Sequence, residues 1–308
     1  MRRGILIIIF FLMCGWAREV WAAGVAPSVI EVNSDRGTVS RQEITIINTN
    51  NAAETYYLST VKFTAWGDES GTPKFIPPTV DHSGLADWIA LENSSIVIPA
   101  KSFAQIPFSV VVPNDALAVS YFAAITVSKN QIKTATKNTS EVQDETASLI
   151  LLTVNGENKT SGALLDFQIN QIDTDQIFGT YKYRIQNQGN IYFAPKTEIV
   201  FTDIFGRKLL VVDGNENGGR ILPSATRLYE GIYGQESNTS FWSTLKKQFS
   251  VLATGPITAS LKISINNNTL PLTAATTFWY FPWSMFLVLI VVIGLLVGFY
   301  GLLKKVRR

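Results

Sequence analysis

An uncharged apolar segment near the C-terminus limits the possible folds of this chain more than any other feature. Residues 284–303 are twenty positions without a single charge. At about 1.5 Å per helical residue, such a segment crosses the roughly 30 Å of hydrocarbon in a bilayer. Because nothing polar interrupts the run, we predict a transmembrane helix rather than the alternative, a buried hydrophobic hairpin.

Aromatic and basic residues flank this segment in the order expected for a membrane span. Residues 278–283 read Phe-Trp-Tyr-Phe-Pro-Trp, so we predict an aromatic belt and transmembrane helix over residues 278–303. A basic cytoplasmic tail follows over residues 304–308, because positive charge stays on the cytoplasmic side. The predicted membrane-interface residues are Trp279, Tyr280, Trp283, Lys304, Lys305, Arg307 and Arg308.

The N-terminus carries the pattern of a signal peptide. Arg2 and Arg3 precede an apolar run over residues 5–16, which is too short to span a bilayer. Small residues follow, and we predict a signal peptide over residues 1–22 with cleavage after Ala22. The protein is therefore expected in the cell membrane as a single-pass protein, with its N-terminal ectodomain extracellular and its C-terminus in the cytoplasm.

Composition restricts the chemistry available to the exported part. The one cysteine, Cys14, lies in the predicted signal, and His82 is the one histidine. Nucleophilic triads and most metal sites need imidazole or thiolate, so we predict no enzyme activity and no cofactor. The lack of disulfides in an exported protein favours a bacterial source. Residues 23–303 carry 19 basic and 23 acidic residues, a formal charge of −4, which argues against nucleic acid as a partner.

Short apolar runs with period-two alternation predict an all-β ectodomain, with a first immunoglobulin-like domain over residues 23–156. A barrel has the same periodicity and stays open as an alternative. The polar residues 129–148 predict a long mobile hairpin loop, which is either a binding loop or a solvated tip. The predicted strands cover residues 29–32, 43–47, 57–66, 88–91, 96–98, 103–112, 121–127 and 149–154.

A polar linker at residues 156–162 precedes a second predicted immunoglobulin-like domain over residues 163–275. Residues 240–247 are compatible with one or two helical turns. The predicted strands cover residues 164–172, 180–186, 197–203, 208–212, 226–233, 249–252, 257–265 and 270–274.

A faint repeat links the two domains. Residues 46–48 (Ile-Ile-Asn) precede residues 61–64 (Val-Lys-Phe-Thr) much as residues 185–187 (Ile-Gln-Asn) precede residues 199–202 (Ile-Val-Phe-Thr). Both duplication and chance recurrence of a strand-turn-strand pattern explain this similarity.

One spacing suggests a metal ion. Asp213, Asn215, Asn217 and Gly218 match the first half of a calcium loop, in which alternate oxygen ligands surround the cation. Ser224 stands where the bidentate glutamate should be, so an ordinary hairpin turn is the favoured interpretation and calcium the weaker one.

The layout of signal, two strand-rich domains, aromatic belt, span and basic tail resembles the WxL-interacting proteins of Gram-positive bacterial surfaces. The resemblance is clearest over residues 96–99, 108–116 and 121–125, which are similar to the late strands of that family's first domain. In that family the first domain is associated with peptidoglycan and the second with partner proteins. The resemblance implies a cell-surface binding or scaffolding role.

Three functional hypotheses follow. The first is a non-enzymatic, membrane-anchored surface protein that binds cell-wall polymer or another surface protein, in adhesion or scaffolding. The second is a module resembling the pilus chaperones, acting on exported client strands by β-augmentation. The third is an accessory subunit of a membrane complex, for which the span offers polar residues only near its ends, Ser284 and Tyr300.

Overall fold

The computed structural model describes residues 24–129, 145–235, 240–265 and 270–306. The chain is all-β and ends in a long apolar helix, as the sequence predicts. Its contacts divide it into two compact units, unit 1 (Met1–Phe63 and Phe75–Gly156) and unit 2 (Thr64–Lys74 and Glu157–Arg308). The predicted signal peptide lies outside the described residues.

The N-terminal half of the chain folds into two sheets with a shared core. One sheet has the strand order β1-β3-β8-β6, and the other has the order β2-β10-β9-β4-β5, with β7 paired to β4. A short helix, α1 (Leu85–Trp88), precedes β6. The strands are β1 (Gly24–Ala26), β2 (Val29–Ser34), β3 (Val39–Asn48), β4 (Glu54–Ala65), β5 (Pro73–Ile76), β6 (Ile89–Leu91), β7 (Ser95–Ile98), β8 (Ser102–Val111), β9 (Ser120–Ser128) and β10 (Glu145–Val154).

Alternation explains why these strands pack face to face. Ile44 on β3 and Ile106 on β8 point inward from one sheet, and Ile125 on β9 and Ile150 on β10 point inward from the other; all four are buried in one cluster. Successive side chains of a strand face opposite sides, so every second apolar residue joins the core. The result is a two-layer sandwich of the immunoglobulin-like type.

Unit 2 repeats this arrangement with fewer strands. One sheet has the order β11-β12-β15 and the other the order β14-β13-β16-β17. Two further helices follow β15 and β17: α2 (Phe241–Val251) and α3 (Trp283–Val306). The strands are β11 (Gly162–Gln171), β12 (Gly179–Asn187), β13 (Lys196–Thr202), β14 (Lys208–Asp213), β15 (Thr226–Tyr233), β16 (Gly255–Ser264) and β17 (Leu272–Tyr280).

Stacked tyrosines form much of the core of unit 2. The rings of Tyr183 and Tyr229 lie 4.9 Å apart and 7° from parallel. The Tyr183 hydroxyl donates a hydrogen bond of 2.8 Å to the Gly214 carbonyl, which satisfies the polar end of a buried ring. Burial raises the pKa of Tyr183 and of Tyr229 well above the ordinary value.

Two asparagines occupy matching places in the two units, at the residues that the faint repeat aligns. Asn48 ends β3 and Asn187 ends β12, and both are buried. Each carboxamide donates to the carbonyl four residues later, Ala52 or Ile191, at 2.9 Å. Each also accepts the backbone N–H two residues later. The same side chain therefore closes the same turn in both units, which favours duplication over chance.

Several local expectations differ from the structure. Residues 249–252 were expected to form a strand, but α2 continues to Val251 because Thr244, Leu245 and Gln248 are buried at helical spacing. The predicted loop at residues 129–148 is shorter, since β10 begins at Glu145; residues 130–144 lie outside the described residues. The last strand of unit 2 runs to Tyr280 rather than ending at residue 274, so it includes half of the predicted aromatic belt.

Candidate functional site

The C-terminal helix has the surface of a membrane span. α3 has 24 residues, about 36 Å at 1.5 Å per residue. Its most apolar window is 0% buried, and it forms one candidate span over Trp283–Lys305. Its leucines are exposed, and Val288 is half-buried. Such an outward-facing apolar surface is stable where the surroundings are apolar.

The predicted interface residues do not all lie on the surface. Trp279 and Trp283 are exposed, as are Lys304 and Lys305 at the other end of α3, while Arg307 and Arg308 lie outside the described residues. Tyr280 is 2% exposed and belongs to the core of unit 2. Burial, with the charge of Asp175, raises the pKa of Tyr280 to about 12. Its ring therefore packs in the core of unit 2, unlike the exposed rings of Trp279 and Trp283.

Hydrogen bonds connect the start of α3, and the residues just before it, to the rest of unit 2. The Phe281 N–H donates to the Thr174 carbonyl at 2.7 Å. The Met285 N–H, one of the helix's otherwise unpaired donors, donates at 2.9 Å to the side-chain oxygen of Gln248 on α2. The Gln248 amide group donates in turn to the Asp175 carbonyl at 3.3 Å. Sequence reasoning missed Gln248, because no local pattern shows that a glutamine caps a helix 37 residues away.

β17 is an edge strand of its sheet. It reads Leu-Thr-Ala-Ala-Thr-Thr-Phe-Trp-Tyr, with no charge, proline or glycine. Within the described part of the chain its strand partner is β16, on one side only. Natural edge strands are normally blunted by lysine, proline, a bulge or shortness. β11 of the other sheet lies beside this edge, and its residues 162–167 line a groove together with residues 272–274 of β17.

The start of β10 extends beyond its pairing with β2. β9 pairs with β10 from Ser120↔Thr153 as far as Ser128↔Glu145. β2 covers the other side of β10 only from Leu149 to Val154. Residues 145–147 therefore lie beyond the pairing with β2, next to the segment that lies outside the described residues.

The calcium candidates form a hydrogen-bonded turn after β14. The Asp213 carboxylate accepts the Asn215 N–H at 2.8 Å. The Asn215 side-chain oxygen, which calcium would use, accepts the Gly219 N–H at 2.7 Å, and its amide group donates to the Pro195 carbonyl at 2.8 Å. Asn217 is exposed in the same turn. These bonds are those of a polar turn residue, and a calcium site stays an untested prediction.

His82 lies in the loop before α1. Its Nε2 atom is 3.3 Å from the Thr60 hydroxyl and 3.5 Å from an Asp87 carboxylate oxygen. A catalytic relay needs different ring nitrogens for the carboxylate and the hydroxyl, whereas both contacts here use Nε2. Among the described residues, no group of three His, Cys, Asp or Glu side chains is placed to hold a metal ion.

Comparisons with known proteins give structural likeness alone. No protein-family model matches the chain, and no curated protein matches it in sequence. A class 5 fimbriae chaperone, CfaA, is 13% identical, with 84% of this chain and 99% of that one covered at a TM-score of 0.39. The CsuC–CsuE chaperone–tip adhesion subunit complex of Acinetobacter baumannii is 9% identical, with 83% of this chain and 98% of that one covered at a TM-score of 0.38. The E. coli chaperone DraB is 12% identical, with 85% of this chain and 96% of that one covered at a TM-score of 0.33. These likenesses concern the fold alone, and none of the three names is that of a WxL-interacting protein.

Proposed function

We propose that this chain is an exported, single-pass membrane protein without catalytic activity, whose two tandem immunoglobulin-like domains bind another protein through an open sheet edge. The ectodomain faces the exterior and the basic tail faces the cytoplasm. The proposed partner is an extended segment of an exported or surface protein.

The observation that carries the membrane part is the outward-facing apolar surface of α3. Its uncharged length matches the hydrocarbon core, and Lys304 and Lys305 lie at its exposed end. The predicted signal peptide and the basic tail both support an exterior ectodomain.

This part of the proposal is tested by alkaline carbonate extraction of membranes from cells that express the full-length chain. We expect the protein to stay in the membrane pellet, and to be released when Leu289, Ile293 and Leu296 are changed together to aspartate. Protease added to intact cells freed of any outer barrier should digest the ectodomain. Release of the unchanged protein, or protection of the ectodomain, would contradict the anchor or its orientation.

The observation that carries the binding part is the uncharged sequence of the edge strand β17, whose hydrogen-bonded strand neighbour in the described part of the chain is β16. An extended peptide that pairs with an edge strand gains main-chain hydrogen bonds, and alternate side chains give specificity. Nine uncharged residues with a strand on one side offer such a template. The edge also ends at Tyr280, next to the membrane helix, so a bound segment would lie close to the cell surface.

A charged substitution tests the edge against a matched control. Ala275 of β17 pairs with Ser260 of the central strand β16, so lysine at either position adds the same charge to one row of one sheet. We expect Ala275→Lys to abolish partner binding, because charge on an edge opposes strand addition, and Ser260→Lys to preserve it. The partner is captured in intact cells by a photo-crosslinker at Thr277 and identified by mass spectrometry. Equal capture by both variants would refute edge pairing.

A second candidate is the pilus-chaperone-like module, which one observation favours. The pairing of β9 with β10 reaches Glu145, whereas the pairing of β2 with β10 begins at Leu149. A client strand would then add to β10 in unit 1 rather than to β17. Crosslinkers at Thr146 and at Thr277 distinguish the two, since a chaperone predicts adducts with exported subunits at Thr146.

Binding to cell-wall polymer stays the remaining form of the surface-protein hypothesis. It predicts retention of the full-length, detergent-solubilised chain on purified peptidoglycan. Retention that Ala275→Lys does not change would favour the polymer over the protein partner.

A further inference from the structure

Besides its buried side, the helix α2 has an exposed aromatic side and an exposed polar side. Thr244, Leu245 and Gln248 face the core of unit 2. Trp242 is 72% exposed and Phe249 is 47% exposed. These two residues are seven apart, about two helical turns, so they lie on the same flank. Ser250, about 100° further around the helix, belongs to a polar flank. Large aromatic rings on one exposed flank of a short helix are unusual for a surface in water.

The position of α2 along the membrane normal follows from its bond to α3. The uncharged run of residues 284–303 matches the thickness of the hydrocarbon core, which places residue 284 near its outer boundary. The side chain of Gln248 contacts the backbone of Met285, one residue further in. The rings of Phe241 and Trp283 are also 6.1 Å apart. α2 is therefore held at the level where the headgroups begin.

A second exposed apolar element adjoins the end of α2. The turn between β13 and β14 presents Ile204 at 58% and Phe205 at 86% exposure. The guanidinium of Arg207 donates to the carbonyls of Val251 and Leu252 at 2.7 and 2.9 Å, which ties this turn to the C-terminus of α2. The turn and the helix end thus form one structural element.

Leu252 itself supports a function for this surface. It ends α2 in the left-handed conformation, with φ 47°, and is 60% exposed. Glycine is the usual residue at this position, because a side chain is strained there. A strained and exposed leucine indicates that the apolar side chain has a role outside the fold.

We propose that the exposed flank of α2, together with Leu252 and the β13–β14 turn, lies in the headgroup region of the phospholipid bilayer that α3 crosses. This inference rests on the proposed membrane anchor. The occupant is the lipid surface itself, because the flank continues the interface at which α3 enters the membrane. Lys246, exposed beside Phe249, supplies a positive charge for lipid phosphates. Unit 2 is then held against the membrane by a helix that spans the bilayer and a helix that lies on it.

Site-directed spin labelling of the full-length chain in phospholipid vesicles tests the proposal. Cys14 is the one cysteine, so a Cys14→Ser background accepts one new cysteine at a time. The four variants are Phe249→Cys and Phe205→Cys on the proposed surface, Ser250→Cys on the polar flank of α2, and Leu295→Cys in the middle of α3. Each label is exposed to oxygen, which concentrates in lipid, and to a water-soluble nickel chelate.

We expect the ratio of oxygen to chelate accessibility to be several-fold higher at residues 249 and 205 than at residue 250, and highest at residue 295. If either residue 249 or residue 205 matches residue 250 while residue 295 is in lipid, the proposed surface is refuted and the anchor stands. If residue 295 is also accessible to the chelate, the anchor is refuted, and this inference with it.

Discussion

Replacing Asn48 by alanine tests the strongest structural parallel between the two units. The Asn48 side chain makes five hydrogen bonds, of which two are fully buried, one to the Ile98 carbonyl and one from the Tyr56 hydroxyl. A buried polar group that loses its partner costs about 1–3 kcal/mol, whereas water replaces the more accessible bonds. Two such groups give an expected loss of about 3–4 kcal/mol for unit 1.

Asn187 allows the same calculation with a different answer. It makes three hydrogen bonds, of which only the bond to the Ile221 carbonyl is fully buried. Asn187→Ala should therefore cost unit 2 about 2 kcal/mol, less than its counterpart costs unit 1. Asn50→Ala is the matched control, since its side chain makes one long contact of 3.5 Å with Glu54, and it should cost less than about 0.5 kcal/mol.

Hydrogen exchange of the detergent-solubilised full-length chain, read by mass spectrometry, measures both effects, because it reports the free energy of opening segment by segment. Asn48→Ala should lower protection of β3, β4 and β8 and leave β12 and β13 unchanged. Asn187→Ala should do the reverse. The reasoning is refuted if both variants lose less protection than the Asn50→Ala control. It is also refuted if Asn187→Ala loses more opening free energy than Asn48→Ala.

Three further predictions concern unit 2. Gln248→Leu should speed exchange of the Met285 amide by lowering its opening free energy about 1–2 kcal/mol, while Gln248→Glu, which keeps the acceptor, should not; equal behaviour would contradict the cap. Burial alone would raise the pKa of Asp203, but hydrogen bonds from the Arg207 and Phe205 backbone and from the guanidinium lower it. The stability that the Asp203 carboxylate contributes is thus present at neutral pH and lost as pH falls through that lowered pKa. Asp203→Asn should therefore make hydrogen exchange in the turn less dependent on acid pH. An unchanged dependence on acid pH would contradict this prediction. Burial raises the pKa of Tyr233 to about 12. The stability that the Tyr233 side chain contributes is therefore fully present below the free tyrosine pKa of about 10 and declines as the pH rises from there to about 12. The measurement is the difference in phenolate absorbance between the folded chain and its Tyr233→Phe variant as a function of pH. Ionisation of Tyr233 near the free tyrosine pKa of about 10 would contradict the prediction.

Local sequence patterns were sufficient for the elements whose signals are local. An uncharged run of membrane-spanning length predicts the helix α3 without knowledge of the rest of the fold, because a segment in hydrocarbon must pair its own backbone groups. Period-two alternation located β2, β3, β8 and β9 to within a few residues, because it reports directly which side of a strand is apolar. The repeat around Asn48 and Asn187 was also visible in the sequence, because similar residues recur there at matching spacing.

The features that form the candidate site needed the tertiary structure. Residues 249–252 are too short a run for periodicity to separate strand from helix, and only packing within unit 2 makes residues 249–251 the end of α2. Tyr280 has the same composition signal as Trp279 and Trp283, yet one is buried and the others exposed. Sequence specifies which faces are apolar, but whether a face meets a core, a membrane or an open edge depends on long-range strand pairing, which residue patterns do not encode.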